Sequence, residues 1–174
     1  MRKVIIGVIA LCAGSFVYAA SPHDAHVPAP AHAQTTQHVS KAPEGGAELS
    51  KTLTVSDCWI RSLPRPTPSA GYFVIKNAGN NEAKLVSMSI PAFGQVSLHQ
   101  TIDQDGKSRM AVADAVSIPA GGELHFKPGS YHAMLEKPTQ ALAVGAEVEA
   151  GFEFQSGEAA KALCEVKPAN ALSR

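Results

Sequence analysis

Beyond residue 17 the sequence lacks any apolar run long enough to cross a membrane. It also lacks a charge bias: lysine plus arginine number 15, aspartate plus glutamate 15, and no basic stripe or Lys/Arg cluster occurs. That excludes the electrostatic footprint of a nucleic-acid binder. No Ser/His/Asp arrangement, paired acid site or phosphate loop is present, so no enzyme is expected. No helix-period segment of useful length follows the first residues, and no internal repeat is found, which argues against a helical bundle or a solenoid. Cysteine is sparse, with three in 174 residues. The apolar fraction of 45% is enough for one modest core, hence one domain with a tail.

The start of the chain reads as a secretory signal. Arg2 and Lys3 supply a charged leader, Val4 to Val17 is almost wholly apolar, and Val17-Tyr18-Ala19 has small residues where a signal peptidase reads. Residues 1–19 are therefore expected to be removed, with the mature chain in the periplasm and no membrane span left in it. An uncleaved anchor is the alternative. Cys12 raises a lipid anchor, but Leu11 before it is larger than the Gly or Ala expected there. Removal of the leader leaves a slight excess of acid and two cysteines, Cys58 and Cys164. An even pair far apart in an oxidising compartment is a disulfide candidate, and two buried free thiols are the other reading.

Residues 20–48 are rich in Pro, Ala, Thr and Gly and almost free of large apolar side chains. Such a segment cannot offset its ordering entropy, so a disordered linker is expected. It holds His23, His26, His32 and His38, four of the seven histidines. Spaced imidazoles on a flexible chain can capture Cu(II); a bland linker with incidental histidines is the competing reading.

From Leu49 the pattern changes to short alternating runs, among them TLTVSDCWI, AGYFVIKN, QVSLHQT, YHAMLE and AKALCEV. Breaks such as NAGNNE, DQDGK, PAGG and KPGS separate them. Many short strands at this spacing predict an all-β domain over 49–168, an antiparallel Greek-key sandwich or barrel. Residues 169–174 form a short tail. Lys137 to Ala146 has the least regular pattern.

Two of these runs carry soft-metal donors. In QVSLHQT, Ser97, His99 and Thr101 share one strand face. In YHAMLE, His132, Met134 and Glu136 do the same. Met110 follows the DQDGK turn after His99, so a hairpin would return it toward that histidine. Taken singly, a Met is usually core filler and a His a surface or hydrogen-bonded residue. Jointly they offer two imidazoles and two thioethers, a neutral and soft set that suits Cu(I) and serves Zn, Mg or Ca poorly. Other residues fit structural roles: Met88 in the core, Trp59 beside Cys58, His125 facing solvent, and Glu136 as a solvated carboxylate.

His99 and Met110 have ten residues between them, Met110 and His132 twenty-one, and His132 and Met134 one. With VSDCWIRSLP, SAGYFVIKN, VSLHQT, RMAV and IPAGGELHFKPGSYHAML, this pattern resembles the periplasmic PCu(A)C copper chaperones over about Leu53 to Val166. The resemblance implies a cupredoxin-like fold and copper ligation by His99, Met110, His132 and Met134. It further implies delivery of Cu(I) toward the CuA centre of cytochrome c oxidase. The implied partners are oxidase subunit II or a Sco-type thiol protein. Gln100 stands where a Met often follows the first His in that family, and the Cys58/Cys164 pair is an addition that suggests a staple between first and last strands. A copper-buffering or resistance protein would have the same site. A blue-copper electron carrier would need a Cys thiolate beside two His, and neither cysteine lies near His99 or His132 in sequence.

Overall fold

The computed structural model describes residues 47–173. The leader, Cys12 and the four histidines of residues 20–38 lie outside the described residues. Ten strands follow in order: β1 (Leu53–Arg61), β2 (Ser69–Asn77), β3 (Ala83–Ser89), β4 (Phe93–Gln104), β5 (Lys107–Val112), β6 (Val116–Ile118), β7 (Glu123–Phe126), β8 (Tyr131–Pro138), β9 (Glu147–Phe154) and β10 (Ala159–Lys167). Among the described residues there is no helix. Each alternating run of the sequence has become a strand, because alternation leaves one apolar face to bury. Residues 139–146, the irregular stretch, contain no strand.

The strands make one sheet in the order β5-β4-β8-β7-β2-β1-β10-β9-β3-β6, with β8 also pairing β2. Neighbouring strands lie about 4.8 Å apart, so β2 and β9, three places apart, would be separated by roughly 14 Å in a flat sheet. Yet the Phe73 and Phe152 rings meet edge-on at 4.8 Å. The sheet therefore curls over its own core, and β5 and β6 remain as unjoined edges. Phe73, Ile75, Leu85, Met88, Leu135, Phe152 and Val116 fill that core at 2% exposure or less.

The all-β expectation holds, with two exceptions to its antiparallel rule. β1 and β10 run parallel, as does a single β7–β8 bridge. Hairpin turns force antiparallel neighbours, but the first and last strands share no turn and are free to pair in parallel. Cys58 and Cys164 face each other across this pair and form a disulfide, with Cα atoms 4.4 Å apart. Both are buried.

β1 carries a bulge: Ser56 pairs Val74 but Trp59 pairs Tyr72. Asp57 takes up the extra residue at φ 52°. The bulge shifts the alternation by one, so Cys58 and Ile60 point into the core while Trp59 and Arg61 turn to the opposite face.

Candidate metal centre

The register of three strands builds one donor surface. The turn after β4 is Asp105-Gly106, with φ 53° and 71°, the left-handed pair that a two-residue type I′ hairpin requires. It fixes β5 on β4 so that Thr101 faces Met110 and His99 faces Val112. On the other side of β4, His99 faces His132 and Ser97 faces Met134. Side chains opposite one another share a sheet face, and so do residues two apart on one strand. His99, Met110, His132 and Met134 are therefore on a single face, the side of the sheet turned away from Leu98, Ala133 and Leu135.

The two histidine rings lie 5.8 Å apart, centre to centre, and are inclined at 25°. Beside them is a groove of about 300 Å³ with Met110, His132, Met134, Tyr72 and Thr101 in its walls. His99, beside His132 on the neighbouring strand, does not line it. Burial is graded: His132 is 8% exposed and Met110 63%. The inner side of the centre is thus sheltered, whereas its Met110 side is open to a second molecule.

Hydrogen bonds orient both rings. The Ser130 carbonyl lies 3.1 Å from Nδ1 of His132. A carbonyl only accepts, so that nitrogen carries the proton and Nε2 keeps its lone pair. Nε2 of His99 lies 2.9 Å from the Ser97 hydroxyl, and its Nδ1 is buried without a hydrogen-bond partner. Burial holds the His99 imidazole below the usual histidine pKa; the nearby His132 acts in the same direction and Glu136 against it. A neutral imidazole is the form that binds metal.

Among the described residues no group of three or more His, Cys, Asp or Glu is placed to hold an ion. Besides the imidazoles, this face offers the thioether sulfurs of Met110 and Met134 as metal-competent donors. The donor set fits a soft monovalent ion such as Cu(I). His125 stays apart, its Nε2 2.7 Å from Glu123 in an exposed pair. Met88 is core, as expected.

Sequence reasoning missed the wall behind the site. Trp59 and Tyr72 pack at 4.4 Å and are nearly buried, and Arg61 donates to the Tyr72 hydroxyl with its guanidinium over the ring. The bulge at Asp57 aims Trp59 and Arg61 this way, and alternation counted from Leu53 would have assigned them wrongly. Ser97 was also passed over, although its position two residues before His99 on the same face was a usable signal. A larger hollow, about 550 Å³, lies around Thr52, Asn77, Asn81, Glu82 and Gln155. It offers no sulfur or imidazole, and Asn77 is spent on Gly79, Asn81 and Ile118. Chemistry, not size, points to the groove beside His132.

Comparison with known proteins agrees on the fold. A family model described as "Putative lipoprotein LpqE-like" matches residues 53–166. The uncharacterized protein RP573 of Rickettsia prowazekii is 35% identical over 103 residues, 59% of this chain and 56% of that one. The chain thus matches little more than half the length of that relative. The apo PCuAC domain of PmoF2 superposes with a TM-score of 0.56 at 19% identity, covering 69% of this chain and 93% of that one. The solution structure of CuI-DR1885 from Deinococcus radiodurans gives 0.55 at 23%, covering 74% and 85%. At these identities the likeness shows a shared fold.

Proposed function

We propose, starting from the premise that this chain belongs to the LpqE-like family, that it is an exported copper carrier. It holds one Cu(I) on His99, Met110, His132 and Met134 and passes it on without catalytic turnover. The observation that carries this reading is the single face shared by two imidazoles and two thioethers, beside a groove, with no cluster of three His, Cys, Asp or Glu among the described residues. The fold shared with a domain solved in a CuI form supports it.

The gradient of burial suggests how transfer proceeds. His132, sheltered and oriented through Ser130, is the fixed donor. Met110, on an exposed edge strand, is the one an incoming ligand can replace first. Two neutral sulfurs hold Cu(I) without the charge that would make release slow. The receiver by this reading is the CuA centre of an oxidase subunit II, with a Sco-type thiol protein in the same route; copper buffering is the second reading. Export to the periplasm follows the leader at residues 1–19, and His23, His26, His32 and His38 add a Cu(II)-capturing tail.

One competition titration tests the core of this reading. The exported chain should take one Cu(I) from a chromophoric chelator, and joint replacement Met110→Leu and Met134→Leu should weaken binding by about tenfold or more, at least the scale on which even the outer partners of metal ligands act. Wild-type affinity in the double variant would sink the assignment. Deletion of residues 20–48 should leave Cu(I) binding intact and lower Cu(II) uptake. Unchanged Cu(II) stoichiometry would reduce the tail to a linker.

A further inference from the structure

We propose that two copies of this chain pair antiparallel along β5, about a two-fold axis at Met110, and that this pairing closes the open side of the copper centre. The pairing stands on the backbone of one strand. Its effect on copper rests on the copper reading above.

The two ends of the sheet differ. β6 closes one end with three residues, of which Val116 and Ile118 are buried. β5 ends the other with six residues, all but one of them exposed, and among the described residues no strand pairs with its outer side. The β4–β5 ladder decides which of its backbone groups are free. The Ala113 N–H donates to the Leu98 carbonyl, and along an antiparallel pair bonded and non-bonded positions alternate. Lys107, Arg109 and Ala111 therefore bond inward to β4, while Ser108, Met110 and Val112 turn their N–H and C=O groups outward. Thr101, opposite Met110, agrees: its N–H donates to the Ser130 carbonyl, on the side of β4 away from β5. Such an open edge is a template for another strand.

The outward residues are symmetric about Met110, and that symmetry selects the partner. A two-fold contact requires each residue's partner to return the contact. With the axis at Met110, Met110 meets Met110 of the other copy, Ser108 meets Val112 and Val112 meets Ser108, each as a bonded pair. Every outward group of β5 is then used. The same register sets Arg109 against Ala111 and Lys107 against Ala113, so the charges that commonly guard an edge oppose no like charge. An axis at Arg109 would set arginine against arginine, and an axis at Ala111 would set Ser108 against Asp114, outside the strand. Pairing also covers what one chain leaves bare. Met110 is 63% and Val112 66% exposed, and both lie on the histidine face. With a second β5 about 5.5 Å away, each Met110 lies against its twin and is shielded from an incoming ligand at the edge. One pair of short strands buries less than the roughly 1,200 Å² at which standard interfaces begin, so the contact is reversible. The dimer is the closed form of the carrier and the monomer the delivering one.

The test is sedimentation equilibrium on the exported chain from about ten micromolar to about one millimolar, the range of weak contacts. The mass should rise from one chain toward two. Val112→Pro removes an outward N–H and no bond to β4, and should weaken association by about tenfold. Ala111→Glu, opposite Arg109 of the other copy, should tighten it several-fold, and Ala111→Lys should loosen it to a similar extent. Transfer of Cu(I) to a chromophoric chelator should slow as the wild-type dimer fills, and should keep one rate in Val112→Pro. The mass of one chain at every concentration overturns the proposal. So does a dimer indifferent to the charge at residue 111, which would place the contact elsewhere. A β5 dimer that releases Cu(I) as fast as the monomer overturns the closing role. If Val112→Pro does not fold, the two Ala111 variants decide the contact, and wild type at low and high concentration decides release. A chain that dimerises through β5 and takes up no Cu(I) supports the pairing and overturns the copper reading, and the closing role with it.

Discussion

At the scale of single residues, His99 links fold stability to acid. Its pKa is lowered in the folded chain, first by burial and then by His132, whereas the unfolded chain titrates near the ordinary value of about 6.5. Between those two values the unfolded state binds more protons, so stability rises with pH across that window. The contribution is complete above about pH 6.5 and is lost as the pH falls from there through the folded pKa. Metal-free wild type should therefore lose resistance to urea as the pH falls below about 6.5, and His99→Gln should lose much less. Cu(I) binding should weaken over that window too, since copper and protons compete for the imidazoles. Equal pH slopes for the two proteins in urea unfolding would refute this.

At the scale of elements, the β4–β5 hairpin decides whether Met110 reaches the histidine face. A one-residue slip would turn Met110 to the other side of the sheet, and the Asp105-Gly106 turn prevents it. Gly106 sits at φ 71°, a region that costs a β-branched residue about 1–2 kcal/mol. Gly106→Val should lower stability by about that amount and also weaken Cu(I) binding. Gly157, at φ 86° in the β9–β10 turn, is the control: Gly157→Val should cost similar stability and leave copper affinity unchanged. Thermal unfolding with a Cu(I) titration separates the two, and matching copper affinities in both variants would remove the hairpin from the argument.

At the scale of the whole molecule, the Cys58–Cys164 bridge ties the first strand to the last across a separation of 106 residues. Such a bridge restricts the unfolded chain, and its removal typically costs about 2–5 kcal/mol. The double variant Cys58→Ala, Cys164→Ala should unfold at lower urea by that margin. Its Cu(I) affinity in the folded state should be unchanged, because the bridge lies in β1 and β10 and the proposed donors lie in β4, β5 and β8. A variant as stable as wild type would show the staple to be dispensable.

The sequence by itself determined that this is an all-β chain, because period-two alternation between turn residues leaves no other way to bury the apolar half of each run. It also determined that His99 shares a face with Ser97 and Thr101, and His132 with Met134, since neighbours two apart on a strand project together. The Asp-Gly turn made the return of Met110 toward β4 legible. Other features were not local. That His99 stands opposite His132, not Met134, depends on the β4–β8 register, which a one-residue shift would alter without changing either strand's pattern. The parallel pairing of β1 with β10 joins chain ends that no turn connects. The phase of Trp59 and Arg61 depends on one bulged residue at Asp57. The orphaned Nδ1 of His99 exists only because tertiary packing closes over it after Ser97 has taken the other nitrogen. Local pattern assigns a residue to a face, and long-range register decides what it meets there.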